Sequence, residues 1–169
     1  LSSTSSLSSQ SSLSSSSSSS SSSAGEGANS PSSASGWTDA NNVFAHDGSF
    51  ATQEVASDAD SSDLFVTGFG FSIPGGATIT GFLVSIRARD DGTGAPVYQS
   101  VELTKNGTTG TGTDLSADEA PSGFSTPNLF GGRGVLGGAS WTPAEVNAST
   151  MGVIIRFHNN DTEEAGVVD

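Results

Sequence analysis

The sequence predicts an all-β fold: a two-sheet antiparallel β-sandwich of jelly-roll type, preceded by an extended serine-rich tail. Three observations lead there. Apolar residues rarely recur at helical spacing. Several short runs instead alternate apolar and polar residues, as half-buried strands do. The chain also carries 22 glycines, many of them placed where such runs stop, which is turn chemistry.

In chain order, residues 1–35 form the tail, whose leucines are Leu1, Leu7 and Leu13 in a field of serine. A six-residue spacing turns an α-helix by about 600°, so the three leucines would share no helical stripe. In an extended chain of period two or three they line up on one sparse edge, which marks them as candidate assembly residues. Alone, such a tract lacks the apolar surface to offset the entropy of ordering it, so order requires contact with something else. AGEGANSPSSAS then reads as a linker, and the domain spans 36–169, opening at Gly36-Trp37.

Within the domain, DLFVTGFGFSIP places Phe65, Phe69, Phe71 and Ile73 on one expected strand face, with Pro74-Gly75-Gly76 ending it. From Phe82 to Ile86 apolar residues occupy both faces, as in a central covered strand. VYQSVELTKNG alternates, with Val97, Val101 and Leu103 expected inward and Tyr98, Ser100, Glu102 and Thr104 outward; Asn106-Gly107 then signals a hairpin turn. Residues 108–140, rich in Gly, Ser, Thr and Pro, read as a long loop and a contact surface. WTPAEVNAST carries one helical turn beginning near Pro143. MGVIIRFHNN sets Met151, Val153, Ile155 and Phe157 on one face of a core strand, and AGVVD begins another. About seven short strands joined by glycine-rich turns suit a sandwich, and no fixed-period repeat supports a β-solenoid.

Composition narrows the function classes. A formal charge of −13 with five basic residues repels phosphates and anionic lipid, which disfavours nucleic-acid and membrane-surface partners. No run of about 18 apolar residues offers membrane insertion. The absence of cysteine removes disulfides and thiol chemistry. The chain begins with Leu1 and has no basic segment ahead of an apolar stretch, so the expectation is a removed leader or a longer parent chain.

Catalytic motifs are weak. Gly132 to Gly137 formally spells G-x-G-x-x-G, but it follows no expected strand, opens no helix and lies in no βαβ unit. His46 and His158 lack a G-x-S-x-G partner, and Asp47 cannot orient His46 by adjacency alone. Asp58, Asp60 and Asp63 offer oxygen ligands at short spacing, with Asp39, Asn41, Asn42 and Asp47 as a second group. Structural calcium is therefore the one cofactor weighed; the Asp58 run lacks the glycine and distal glutamate of an EF-hand, and the expectation is no cofactor. Trp37 and Trp141 read as core lids, and Tyr98 as the better candidate for stacking on a sugar. Asn106, Asn147 and Asn160 each open an N-x-S/T sequon, useful where the source glycosylates asparagine, and the serine tract offers hydroxyls for O-glycans.

GWTDANNVFAHDGSFAT, GFGFSIPGGATITGFLVSIRARD and MGVIIRFHNNDTEEAGVVD, in that order, resemble a β-sandwich module of phage and virus appendage proteins and of some bacterial surface proteins. The resemblance covers most of residues 36–169 and implies core roles for Phe69, Phe71, Ile73 and Ile79, and turn or close-packing roles for Pro74, Gly75 and Gly81. It implies no catalytic residue. Proteins of that kind continue past the V-D with another apolar strand, whereas AGVVD closes this sequence, so the expectation is either a truncated sequence or an open final edge that accepts a strand from a neighbour, with residues 1–16 as the donor.

These observations lead to the expectation of a non-enzymatic structural subunit of an extracellular or virion assembly, a fibre, appendage or decoration protein. Its expected partners are copies of itself or neighbouring subunits. The alternative is a carbohydrate-binding or adhesive module on a serine-rich stalk, with glycans as partners.

Overall fold

The computed structural model describes residues 26–90, 94–123, 125–160 and 165–168. The candidate assembly residues Leu1, Leu7 and Leu13 lie outside the described residues. Antiparallel strands dominate, with one 3-10 turn (Ala40–Phe44) and one short helix, α1 (Pro143–Val146). The strands are β1 (Ser33–Ser35), β2 (Ala51–Val55), β3 (Ala59–Asp60), β4 (Leu64–Thr67), β5 (Gly81–Ile86), β6 (Ala88–Arg89), β7 (Pro96–Thr104), β8 (Asn128–Arg133), β9 (Gly152–Asn159) and β10 (Ala165–Val168). No helix among the described residues is long and apolar enough to cross a membrane.

The largest sheet is organised by β9. β7 pairs along its whole length on one side; β4 and β3 share the other, and β1 pairs with β4. Met151, Val153, Ile155 and Phe157 are all buried in the core, as their spacing predicts. The intervening Arg156 and His158 face the other side, where they meet Asp63 and Asp60. β5 and β8 form a separate two-stranded ribbon, and β2, β10 and β6 a third sheet. The ribbon's inner face packs on the large sheet: Phe130 meets Tyr98 edge-on at 4.8 Å, and Tyr98 lies 4.5 Å from Phe157.

Several expectations need correction. β1 lies within the residues assigned to the linker, because the backbone of Ser33–Ser35 completes an otherwise unpaired edge of β4. β4 stops at Thr67, with Leu64 and Val66 inward and Phe65 half-buried on the outer face, opposite Ile154. Gly68, at φ 74, breaks the alternation there, so Phe69, Phe71 and Ile73 reach the core from an irregular segment and not from a continuous strand. The expected turn at Pro74 is present, closed by Ala77 N–H on the Pro74 carbonyl at 2.9 Å.

Residues 81–86 do not form a covered central strand. Among the described residues β5 pairs only with β8, and Leu83 and Ser85 are exposed. β8 itself falls in the expected loop; the glycines of NLFGGR hide it, since only its partner gives the segment a reason to extend. β10 bonds β2 on one side and β6 on the other, so the closing AGVV is a central strand and not an open final edge.

The remainder of the 108–140 excursion protects an edge. It folds back along β7, with Thr111 N–H on the Leu103 carbonyl (2.8 Å), Leu115 N–H on that of Val101 (2.9 Å) and Tyr98 N–H on that of Glu119 (3.0 Å). Asp114 adds a carboxylate oxygen that accepts from Val101 N–H at 2.8 Å. These bonds satisfy backbone groups that a bare strand edge would offer to another chain.

The helical turn is present with a full capping box: Thr142 Oγ1 accepts from Glu145 N–H, and Glu145 accepts from Thr142 N–H at 2.8 Å. Lys105 donates to Glu145 Oε1 at 2.9 Å. Those two partners, Lys105 first, hold the Glu145 carboxyl down to about 2. With its folded value depressed, the pair's contribution is present at neutral pH and is lost only as pH falls toward that value.

Asn147, just after α1, clamps the irregular segment. Its Oδ1 accepts from Ile73 N–H at 2.8 Å while its Nδ2 donates to the Ile73 carbonyl at 2.9 Å. Asn147→Ala is expected to lower stability by about 1–3 kcal/mol, the scale for two hydrogen bonds with one partner removed. Amide exchange at Ile73 should accelerate with it; an unchanged urea midpoint and unchanged exchange would show that the clamp contributes nothing.

Candidate functional site

The sequence-selected residues separate in the folded chain. Tyr98 is buried, 0% exposed, and does not face solvent. The reason is a β-bulge: Tyr98 pairs with Phe157 and Ser100 with Arg156, leaving Gln99 as an extra residue that reverses the alternation. Tyr98 therefore shares its side with Val101 and Leu103, and its hydroxyl lies 3.4 Å from Asn128 Oδ1. Burial first, and the Glu119 carboxylate second, push its phenol above the ordinary value. No sugar can stack on a ring in that position.

The two tryptophans are core lids as expected, each 8% exposed. Trp37 Nε1–H donates to the Ser62 carbonyl and Trp141 Nε1–H to that of Leu136, both at 2.9 Å. Trp141 also packs edge-on against Phe82 at 4.9 Å and carries the Lys105 ammonium 5.1 Å above its ring.

The aspartates weighed for calcium are engaged by basic side chains, Asp63 by Arg156 and both Asp58 and Asp60 by His158. Asp63 binds the Arg156 guanidinium, with 2.8 Å to Nε. Asp60 lies 2.7 Å from His158 Nδ1, and Asp58 lies 3.6 Å from His158 Nε2. Among the described residues no group of three or more His, Asp or Glu side chains is arranged to hold a metal. In the second group, Asn42 donates to the Phe50 carbonyl and Asp47 accepts from Ser49 N–H, both at 2.9 Å. That Ser49 bond is the first cause holding the Asp47 carboxyl below its ordinary value.

The residues that sequence reasoning missed are on the outer face of the β5–β8 ribbon. Leu83 is 62% exposed and Leu129 58%, the large hydrophobic side chains that solvent reaches most among the described residues. The register sets Leu83 opposite Gly131 and Ser85 opposite Leu129, so the two leucines are diagonal neighbours on one face. Gly131 adds no side chain between them. Arg133, opposite Gly81, stands exposed at the end of the same strip. The strip is thus apolar in its centre, cationic at one end, and set on a strongly acidic chain. A signal existed in the sequence: apolar residues on both faces of 82–86, which the fold covers on one face only.

The sequons also differ. Asn106 is exposed at a turn, Asn147 is the Ile73 clamp, and Asn160 is exposed and donates its backbone N–H to the Ala95 carbonyl at 3.2 Å.

No family model, no curated protein and no solved structure matches the chain.

Proposed function

We propose that this chain is a non-enzymatic structural subunit of an extracellular or virion assembly. Its body, which includes β1, is a β-sandwich of jelly-roll type, and the serine-rich residues ahead of β1 act as tether and packing arm. One observation carries this reading: the exposed Leu83–Leu129 face of a ribbon whose two strands, among the described residues, pair only with each other. The fold shields the edge of β7 with a returning loop, yet leaves two leucines of this face in water. Burying one such side chain is worth about 1.5–3 kcal/mol, a standing incentive to dock.

The occupant is a second copy of this chain. Arg133 has no carboxylate partner among the described residues, while the chain supplies 18 acidic side chains and a net charge of −13. A face that is apolar with a cationic end is complementary to such a surface, and general repulsion between copies weakens with salt. Two short strands cover far less than the ~800 Å² per partner of a stable interface, so this contact acts as one of several in an array.

Sedimentation of the full chain across a concentration series tests the proposal. The expected result is a growing polymer or closed oligomer, and a shift to monomer of about tenfold or more in midpoint concentration for Leu83→Asp with Leu129→Asp, with the circular dichroism unchanged. A chain that stays monomeric throughout, or a double variant that assembles like its parent, would overturn it. A ligand-free monomer that moves only when glycans are added would return the adhesive reading.

A further inference from the structure

We infer that Asn106 is an acceptor for an N-linked glycan, in a sequon this fold presents for modification, and that Asn147 is not one. In the transfer, Asn106 Nδ2 bonds to the anomeric carbon of a polyprenyl-diphosphate-linked oligosaccharide. The polyprenyl diphosphate leaves, and Nδ2 loses one proton. The product keeps the amide oxygen intact but replaces one of the two N–H groups.

The Asn106 turn is built for that exchange, because its local structure uses only the oxygen. Oδ1 accepts from Thr109 N–H at 2.8 Å, Thr108 N–H at 3.0 Å, Thr104 Oγ1 at 3.1 Å and Thr108 Oγ1 at 3.3 Å. Nδ2 makes no hydrogen bond among the described residues, and the side chain is exposed. Every bond that shapes the turn therefore survives glycosylation. Thr108, the hydroxyl residue of the sequon, is exposed beside it.

Asn147 is the opposite case. Its carboxamide grips one residue by both groups, Oδ1 from Ile73 N–H and Nδ2 to the Ile73 carbonyl. Closing that ring requires the N–H on the same side as Oδ1. A secondary amide prefers the trans arrangement, which places the sugar carbon on that side and turns the surviving N–H away. A glycan on Asn147 would thus remove the clamp, and the folded chain excludes it.

The full chain is secreted from a eukaryotic cell, and the folded fraction is mapped by glycopeptide mass spectrometry. Occupied Asn106 and bare Asn147 are expected, with the Asn106 glycopeptide lost in Asn106→Gln and in Thr108→Ala. Thr108→Ala removes the sequon while leaving three of the four donors to Oδ1, so its loss of glycan is separable from any effect on folding. Enzymatic removal of the glycan should shift the unfolding midpoint little. Bare Asn106 in the folded parent, or Asn147 carrying a glycan in folded material, overturns the inference.

Discussion

Replacing Tyr98 by alanine is expected to cost about 3–5 kcal/mol, the range for removing a buried aromatic side chain. The ring joins two layers: it lies 4.8 Å from Phe130 on the ribbon and 4.5 Å from Phe157 on β9, with no solvent exposure. Domains of this size hold only about 5–15 kcal/mol in total, so the variant should be largely unfolded on warming. Tyr98→Phe separates packing from the hydroxyl. The bond to Asn128 is long at 3.4 Å, and Asn128 Oδ1 keeps Ser122 N–H at 2.8 Å, so a cost of only about 0.5–1.5 kcal/mol is expected.

The same residue makes the alkaline limit of stability readable. Tyr98 is the one tyrosine in the chain, so ultraviolet phenolate absorbance reports it alone. Its folded value is raised above 10.0, by burial first and by Glu119 second. A raised value means that the stabilising contribution is complete below the unfolded value and is lost as pH rises above it. Each pH unit beyond about 10 removes about 1.4 kcal/mol until the folded value is reached. Phenolate absorbance should therefore appear together with loss of the folded circular dichroism, as one cooperative step. A smooth titration near pH 10 in a still-folded chain would show that Tyr98 is open to water.

The second large effect is expected at Gly36→Ala. Gly36 joins β1 to Trp37 at φ 109, and a Cβ there would overlap the Asp63 carbonyl oxygen, a backbone atom that no rotamer change can move aside. Strained backbone of this kind costs about 1–3 kcal/mol, and displacing the start of β4 brings the expected total to about 4 kcal/mol or more. Gly48→Ala is the control: φ is 88, but nothing lies within 4 Å of the added methyl, so only the conformational part remains. Urea unfolding followed by tryptophan fluorescence compares them, and equal midpoints for the two variants would refute the steric account.

Local chemistry was legible without coordinates. Pro143 marks a helical turn, and Asn106-Gly107 spells a turn, because both depend on hydrogen bonds within a few residues. Val153, Ile155 and Phe157 declared the core face of β9, with Met151 just ahead of it in the same phase, since β9 itself carries no extra residue and Gly152 falls on the opposite phase. The candidate surface was less legible. Leu83 looked like core because its neighbours are apolar, and Leu129 lay in a segment whose glycines read as loop.

The sequence by itself determined that the chain forms strands, where several runs end, and that Met151, Val153, Ile155 and Phe157 reach the core. Only the tertiary structure decided the phase of the alternations around β4 and β7, because there it depends on pairing with a distant strand. The bulge at Gln99 turned Tyr98 inward. The termination of β4 shifted Phe69 and Phe71 out of strand register. Covering was likewise decided at long range: the 108–122 segment had to return along β7, and β10 had to enter between β2 and β6, before it was settled which edges are closed and that the Leu83–Leu129 face stays open.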